Sequence, residues 1–288
     1  MFNKLKLLRN YDLSFFYSNG SVPWLGAKKN LLHFQVPFQK VGGKGWLTRL
    51  KLKKIDAIVC NSFFTKRFID REFGVDSRVV YPPVAVDQFS SGKKENLILS
   101  VGRFTDLLHN KRQDVLVAAF KKLINRTKLD YRLVLAGGAK EGKKLVRELT
   151  DKIQDYPIEI IPDLPFGELK KLYARARIFW TASGFGVDEE KNPESVEHFG
   201  ITTAEAMAAG CVPIVIAKGG QKEIVDSGKD GFLWQQPSEL IELTENIINR
   251  PTQLKIIARA AIKKARKFSY QQFCQEYEAL IALSLIHI

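Results

Sequence analysis

Short apolar runs alternate with amphipathic stretches along nearly the whole chain, and this alternation restricts the fold more than any other feature. Runs at 30–34, 57–60, 78–81, 97–101, 132–136, 158–161, 178–181 and 213–217 have the length and composition of buried strands. The stretches at 62–73, 112–125, 141–154, 166–176, 202–209, 221–226 and 237–249 carry helical periodicity, and two more helices are expected at 253–266 and 270–283. Strand, helix, strand at this spacing predicts an α/β protein with parallel sheets and helices on both faces. Pro82-Pro83 and the polar segment 90–95 read as a connection, which places a domain boundary near residue 95. The first part then has about three strands, and the second at least five strand–helix repeats.

Composition narrows the function classes. Of 288 residues, 45% are hydrophobic and 26% charged, values typical of globular proteins. No run of about 18 apolar residues is present, and residues 1–9 are too short and charged for a signal peptide. Cys60, Cys211 and Cys274 lie far apart, as do His33, His109, His198 and His287, so no metal-ligand spacing arises and a reducing, cytoplasmic setting is expected. The net charge is +14, and residues 1–95 hold 17 Lys+Arg against 7 Asp+Glu. Eight cations, Lys28, Lys29, Lys40, Lys44, Arg49, Lys51, Lys53 and Lys54, follow Asp12 with no acid before Asp56. Such a run fits a solvated basic face or an anionic partner, in particular an anionic membrane surface at which the protein would be peripheral. No nucleic-acid recognition motif accompanies it, and no nucleic acid is expected.

The densest chemical signal lies between Glu197 and Gly210. Two carboxylates, Glu197 and Glu205, flank Gly200, which can turn the chain and expose backbone N–H groups. Thr202 is placed to cap a helix beginning at Thr203, and a helix N-terminus after a glycine turn suits phosphate. The competing reading makes Thr202 and Glu205 a capping box, with Glu197 a surface residue. Gly102-Arg103 ends one strand and Lys111 precedes the next helix, so the two cations could clamp a diphosphate beyond the sheet's carboxyl edge. Gly137-Gly138 and Gly219-Gly220 read as strand-to-helix turns, the second able to approach the same cleft. Neither a dinucleotide fingerprint nor a Walker loop is present. His33 ends an apolar run and is either structural or a cleft residue.

The segment E-H-F-G-I-T-T-A-E-A-M-A-A-G, with S-V-G-R-F and N-K-R-Q-D-V upstream and G-G-Q-K-E-I-V-D-S-G downstream, resembles the signature of the family 4 retaining glycosyltransferases, the glycosyl transferases group 1. The likeness extends over roughly residues 30–283. It implies a GT-B fold with two Rossmann-like domains. Residues 1–95 would be a partial, truncated N-terminal acceptor-side domain, lacking the family's opening strand and glycine-rich loop. Residues 96–266 would bind the nucleotide sugar, and 267–288 would pack back toward the N-terminal domain. By position, Arg103 and Lys111 would hold the donor diphosphate, and Phe199, Gly200, Ile201 and Thr202 would cradle phosphate oxygens. Glu205 would take the ribose hydroxyls, and Glu197 and His33 would be catalytic, Glu197 through the donor hexose. The resemblance implies a GDP- or UDP-linked hexose donor, retention at the anomeric carbon, a saccharide or lipid-linked acceptor, and no metal or other cofactor. The alternative is a non-catalytic fragment that binds the sugar nucleotide.

Overall fold

A computed structural model of the protein describes residues 7–105 and 111–285. The chain divides into two compact units, Met1–Pro83 with Gln271–Ile288, and Val84–Tyr270.

Unit 1 is built on a four-stranded parallel sheet in the order β1-β2-β3-β4, with β1 Leu13–Ser18, β2 Lys29–Phe34, β3 Ala57–Cys60 and β4 Arg78–Val79. Helix α1, Trp46–Leu52, follows β2, and α2, Phe63–Phe73, links β3 to β4. The two-residue period of a strand sorts side chains to opposite faces. Leu32, Phe34 and Cys60 pack with Ile69 and Phe73 of α2. Leu31 and Val59 pack on the other face with Tyr277 and Leu280 of the C-terminal helix Tyr270–Leu285. Ser62 caps α2 by accepting the Thr65 N–H at 3.0 Å, and Gly74, at φ 65°, ends it in the left-handed region.

Unit 2 holds six parallel strands: β5 Leu97–Val101, β6 Arg132–Gly137, β7 Ile158–Pro162, β8 Ile178–Thr181, β9 Val212–Ile216 and β10 Phe232–Trp234. Their order is β10-β9-β8-β5-β6-β7. Numbered within the unit, this is the doubly wound order 3-2-1-4-5-6. The connecting helices are α3 Gln113–Thr127, α4 Lys143–Asp151, α5 Phe166–Arg175, α6 Ile201–Ala208, α7 Gln221–Ile224 and α8 Pro237–Ile248, followed by α9 Pro251–Ala265; Tyr270–Leu285 is α10. Strand residues that are apolar on both sides, such as Leu133, Leu135, Ile178 and Trp180, are fully or almost fully buried between the helical layers.

The unit division falls between Pro83 and Val84, ahead of the position near residue 95 that the polar linker suggests. The intervening segment is anchored to unit 2. The Val84 N–H donates to the Phe268 carbonyl at 2.8 Å, and the Phe89 ring meets Tyr173 edge-on at 5.4 Å. Lys94 donates to the carbonyls of Ala176 and Ala209, at 2.8 and 2.7 Å, fastening the ends of α5 and α6. No helix among the described residues is long and apolar enough to cross a membrane. His109 and His287 lie outside the described residues.

Candidate donor site at the switch point of unit 2

In a doubly wound sheet the strand order reverses between the first and fourth strands, here β5 and β8, and the loops leaving them open a crevice. The loop after β5 carries Gly102, Arg103 and Lys111. The loop after β8 runs to Glu197 and the start of α6. The fold therefore joins residues that lie far apart in sequence. Lys111 Nζ donates to Glu197 Oε2 at 2.6 Å, with about a fifth of each side chain exposed (21% and 23%). A Cβ on Gly102 would lie 2.8 Å from Lys111 Cγ, so glycine makes room for the lysine stem. Arg103 is exposed, and its carbonyl accepts the Gln113 side-chain amide at 3.1 Å.

The helix start differs from the sequence expectation. Gly200, at φ 121°, is the N-cap of α6, and the helix begins at Ile201. Thr202 is thus inside the first turn, and the helix has no side-chain cap. A capping box between Thr202 and Glu205 is not formed. The Glu205 carboxylate instead accepts the Tyr173 hydroxyl at 2.9 Å, and Tyr173 is fully buried. Burial pushes the Glu205 carboxyl above its usual range, and the Tyr173 hydrogen bond works against that shift. The Gly200 carbonyl accepts the Thr203 and Ala204 N–H groups at 3.0 and 3.2 Å. Helix geometry gives the N–H groups of Ile201 and Thr202 no intrahelical acceptor, and Ile201 is exposed, so this end offers donors and a positive dipole to an anion. The Phe199 ring is buried edge-on to Phe268 at 5.2 Å, so what that residue could offer a ligand is its backbone.

Two further elements hold this arrangement. Thr203 donates to Gln221 Oε1 at 2.9 Å, tying α6 to α7. A Cβ on Gly200 would lie 2.9 Å from Gln221 Nε2, which favours glycine there beyond its φ. The Gly219-Gly220 turn lies against the signature loop: a Cβ on Gly219 would stand 2.1 Å from the Glu197 carbonyl oxygen, and one on Gly220 2.3 Å from that of His198. The Gly220 N–H donates to the Glu197 carbonyl at 2.8 Å. Glu189 accepts the Gly219 N–H at 2.8 Å and Lys222 Nζ at 2.6 Å. His198 Nε2 lies 3.3 Å from the Glu194 carbonyl, within its own loop. Tyr173, Gln221 and Glu189 join this cluster without being marked as site residues in the sequence. Each acts through a tertiary contact, and only the polar residue next to Gly219-Gly220 gave a local signal.

The structure brings Lys111 and Glu197 into contact and places Arg103, Gly200, Ile201, Thr202 and Glu205 on the same unit. His33 belongs to unit 1. It sits on β2, 2% exposed, with Nδ1 hydrogen-bonded to the Tyr277 hydroxyl and its ring among Phe15, Tyr17 and Tyr277. Burial pushes its pKa down to about 4, so the imidazole is neutral at pH 7. Among the described residues, no group of three or more His, Cys, Asp or Glu side chains is arranged to hold a metal ion.

Comparison with known proteins agrees with this fold. The solved structure of a glycosyltransferase from Rickettsia africae ESF-5 superposes with a TM-score of 0.78 at 20% identity, covering 98% of this chain and 81% of that one. Anabaena HepE, in complex with UDP and glucose, superposes with a TM-score of 0.73 at 16% identity, covering 96% and 79%. These likenesses show the GT-B fold. In sequence, the human GDP-Man:Man(3)GlcNAc(2)-PP-Dol alpha-1,2-mannosyltransferase is 29% identical over 243 residues, 76% of this chain and 46% of the relative. Human alpha-1,3/1,6-mannosyltransferase ALG2 is 26% identical over 274 residues, 84% of this chain and 62% of the relative. The chain thus spans less than two thirds of the length of either relative. The family model for glycosyl transferases group 1 matches residues 85–268, nearly the whole of unit 2. With that match over more than half of its length, the chain belongs to the glycosyl transferases group 1.

Proposed function

We propose that this protein transfers a hexose from a GDP- or UDP-linked donor to a saccharide or lipid-linked acceptor, with retention at the anomeric carbon. The observation that carries the reading is the contact between Lys111 and Glu197 beside a helix N-terminus at the switch point of unit 2. As the glycosidic bond breaks, the nucleotide diphosphate gains negative charge. Arg103, Lys111 and the first N–H groups of α6 meet that charge where it develops, an effect worth about 3 kcal/mol per donor lost. An arriving phosphate competes for Lys111, which frees the Glu197 carboxylate to accept hydroxyls of the hexose. Glu205, held by Tyr173, takes the ribose hydroxyls. His33 of unit 1 is the proposed acceptor-side residue.

In this reading the leaving group is stabilised by protein groups, and the reaction calls for no resident metal or other cofactor. The relatives support the donor and acceptor classes: the name of one carries GDP-mannose and a dolichol-linked oligosaccharide, and a structural neighbour is complexed with UDP-glucose. A lipid-linked acceptor would bring the protein to a bilayer surface. The test incubates the full chain with radiolabelled GDP-mannose or UDP-glucose and a lipid-linked oligosaccharide, with and without EDTA, and reads the anomeric configuration of the product by NMR. An EDTA-resistant α-linked product supports the reading. An inverted product, or dependence on added metal, contradicts its mechanism. Because the donor-side cluster is contained in one unit, binding without turnover is the second reading; saturable nucleotide-sugar binding with no product in this assay would establish it.

A further inference from the structure

Helix α1, Trp46–Leu52, has no buried residue, although it is rich in apolar ones. Trp46 is 74% exposed, Leu47 47% and Leu50 44%, and Val41 in the preceding loop is exposed as well. Positions 46, 47 and 50 share one helix face, because residues three and four apart are neighbours. Lys40, Lys44, Arg49, Lys53 and Lys54 are exposed around this face, and Lys51 is half-exposed. No acidic residue occurs between Asp12 and Asp56. The nearby acid Glu72 is occupied: its carboxylate accepts the backbone N–H groups of Lys40, Val41 and Gly43 at 2.9, 3.0 and 2.9 Å, pinning the loop that leads into α1. Asp56 likewise accepts the Asn30 N–H at 2.7 Å.

We propose that α1 and the loop before it form a membrane-docking face, in which Trp46, Leu47, Leu50 and Val41 enter the interface of an anionic bilayer while the surrounding cations engage lipid head groups. A short helix that packs on its own core through Leu52 and presents tryptophan and leucine within a ring of lysine and arginine has the make-up of an interfacial helix. Charge complementarity selects an anionic lipid surface as the occupant: each cation near such a surface is attracted, and tryptophan favours the head-group level. The proposal deepens the lipid-linked acceptor reading by naming the part of the chain that meets the bilayer. It is tested without donor or acceptor, so the two can fail separately.

The experiment is co-sedimentation of the full chain with vesicles of phosphatidylcholine alone and of phosphatidylcholine mixed with phosphatidylserine, at about 0.1 M and about 1 M salt. Binding to the mixed vesicles at low salt is expected, with weak binding to phosphatidylcholine alone. The triple variant Trp46→Ser, Leu47→Ser, Leu50→Ser should lose about tenfold or more of that binding, because both terms of interfacial affinity are needed. Its melting temperature should move by no more than a few degrees, since none of these side chains is part of a core cluster. The charge variant Lys44→Gln, Arg49→Gln, Lys53→Gln, Lys54→Gln should remove the preference for phosphatidylserine. Binding to neither vesicle, equal binding to both, or full binding by the triple serine variant would each overturn the proposal. Vesicle binding without transfer would leave this face standing and sink the proposed reaction; transfer to a detergent-dispersed acceptor without vesicle binding would do the reverse.

Discussion

Two regions of the molecule concentrate positive charge, and they are built in opposite ways. At the switch point of unit 2, Lys111 lies over a glycine that makes room for it, its ammonium bonded to Glu197 at 2.6 Å. The glutamate's own backbone is fastened by the Gly219-Gly220 turn. In unit 1, the cations around α1 stand on a helix with no buried residue. The first arrangement fixes where charge sits, which suits a ligand with its own fixed geometry. The second fixes only sign and apolarity, which is sufficient for a fluid surface. Substitutions in the first region should therefore couple stability to ligand affinity, and substitutions in the second should not.

The largest effect is expected at the turn that fastens the donor loop. In Gly220→Ala the new methyl meets the His198 carbonyl oxygen at 2.3 Å and the Phe199 Cα at 2.6 Å, so backbone must move. A loss of about 3 kcal/mol is expected by chemical denaturation, together with weakened nucleotide binding. An unchanged midpoint would show that this loop is not held as described. An effect of similar size is confined to unit 1. Burial pushes the His33 pKa down to about 4 in the folded chain, below the usual 6.5 of an exposed imidazole. The unfolded chain therefore binds the proton more tightly. The stabilisation is present above pH 6.5 and is lost as pH falls toward 4, about 3 kcal/mol in all. Stability measured against pH should flatten across this window in His33→Gln relative to the parent; equal slopes would contradict a buried neutral imidazole.

A smaller effect is expected at Glu205. Removing the Tyr173 hydroxyl in Tyr173→Phe takes away the hydrogen bond that favours the charged carboxylate, leaving burial unopposed. Ribonucleotide affinity should fall by about 1 kcal/mol. Its loss on acidification should begin at higher pH than in the parent, because the Glu205 carboxyl then protonates earlier. Glu205→Gln should weaken binding of a ribonucleotide diphosphate more than of its 2′-deoxy form. Equal loss for both sugars would detach Glu205 from the ribose. The smallest effect is expected at α1, where Leu50→Ala should change stability by less than about 0.5 kcal/mol, since its side chain is not part of a core. A drop of several kcal/mol would mean that the helix supports the fold and that the contrast between the two regions is false.

How much of this was legible in the sequence follows from where the information lies. Strands buried on both faces, such as Leu97–Val101 and Ile178–Thr181, appear as continuous apolar runs and were readable to the residue. The edge strands Leu13–Ser18 and Phe232–Trp234 were missed, because each pairs with one neighbour only and mixes buried with partly exposed residues. Helix α1 was missed because none of its residues is fully buried and its packing on the core comes from Leu52 at its end, so no core-facing stripe marks it. At the site, the glycine before α6 was visible, but the cap was placed at Thr202 because serine and threonine are the usual caps, whereas the chain uses Gly200 at φ 121°. Tyr173 lies far from Glu205 in sequence, and no spacing rule joins a residue on α5 to one on α6.

In the proposed reaction Lys111, paired with Glu197, forms part of a nucleotide diphosphate site. The most direct measurement is isothermal titration calorimetry of GDP and UDP into the full chain and into Lys111→Ala. Saturable binding of at least one of the two is expected. Affinity should fall by about tenfold or more in the variant, the size of a lost charge-assisted hydrogen bond, and the melting temperature of the free protein should fall with it, because the largely buried Glu197 carboxylate loses its ion pair with Lys111. No binding of either diphosphate by the parent, or equal affinity in parent and variant, would contradict that role.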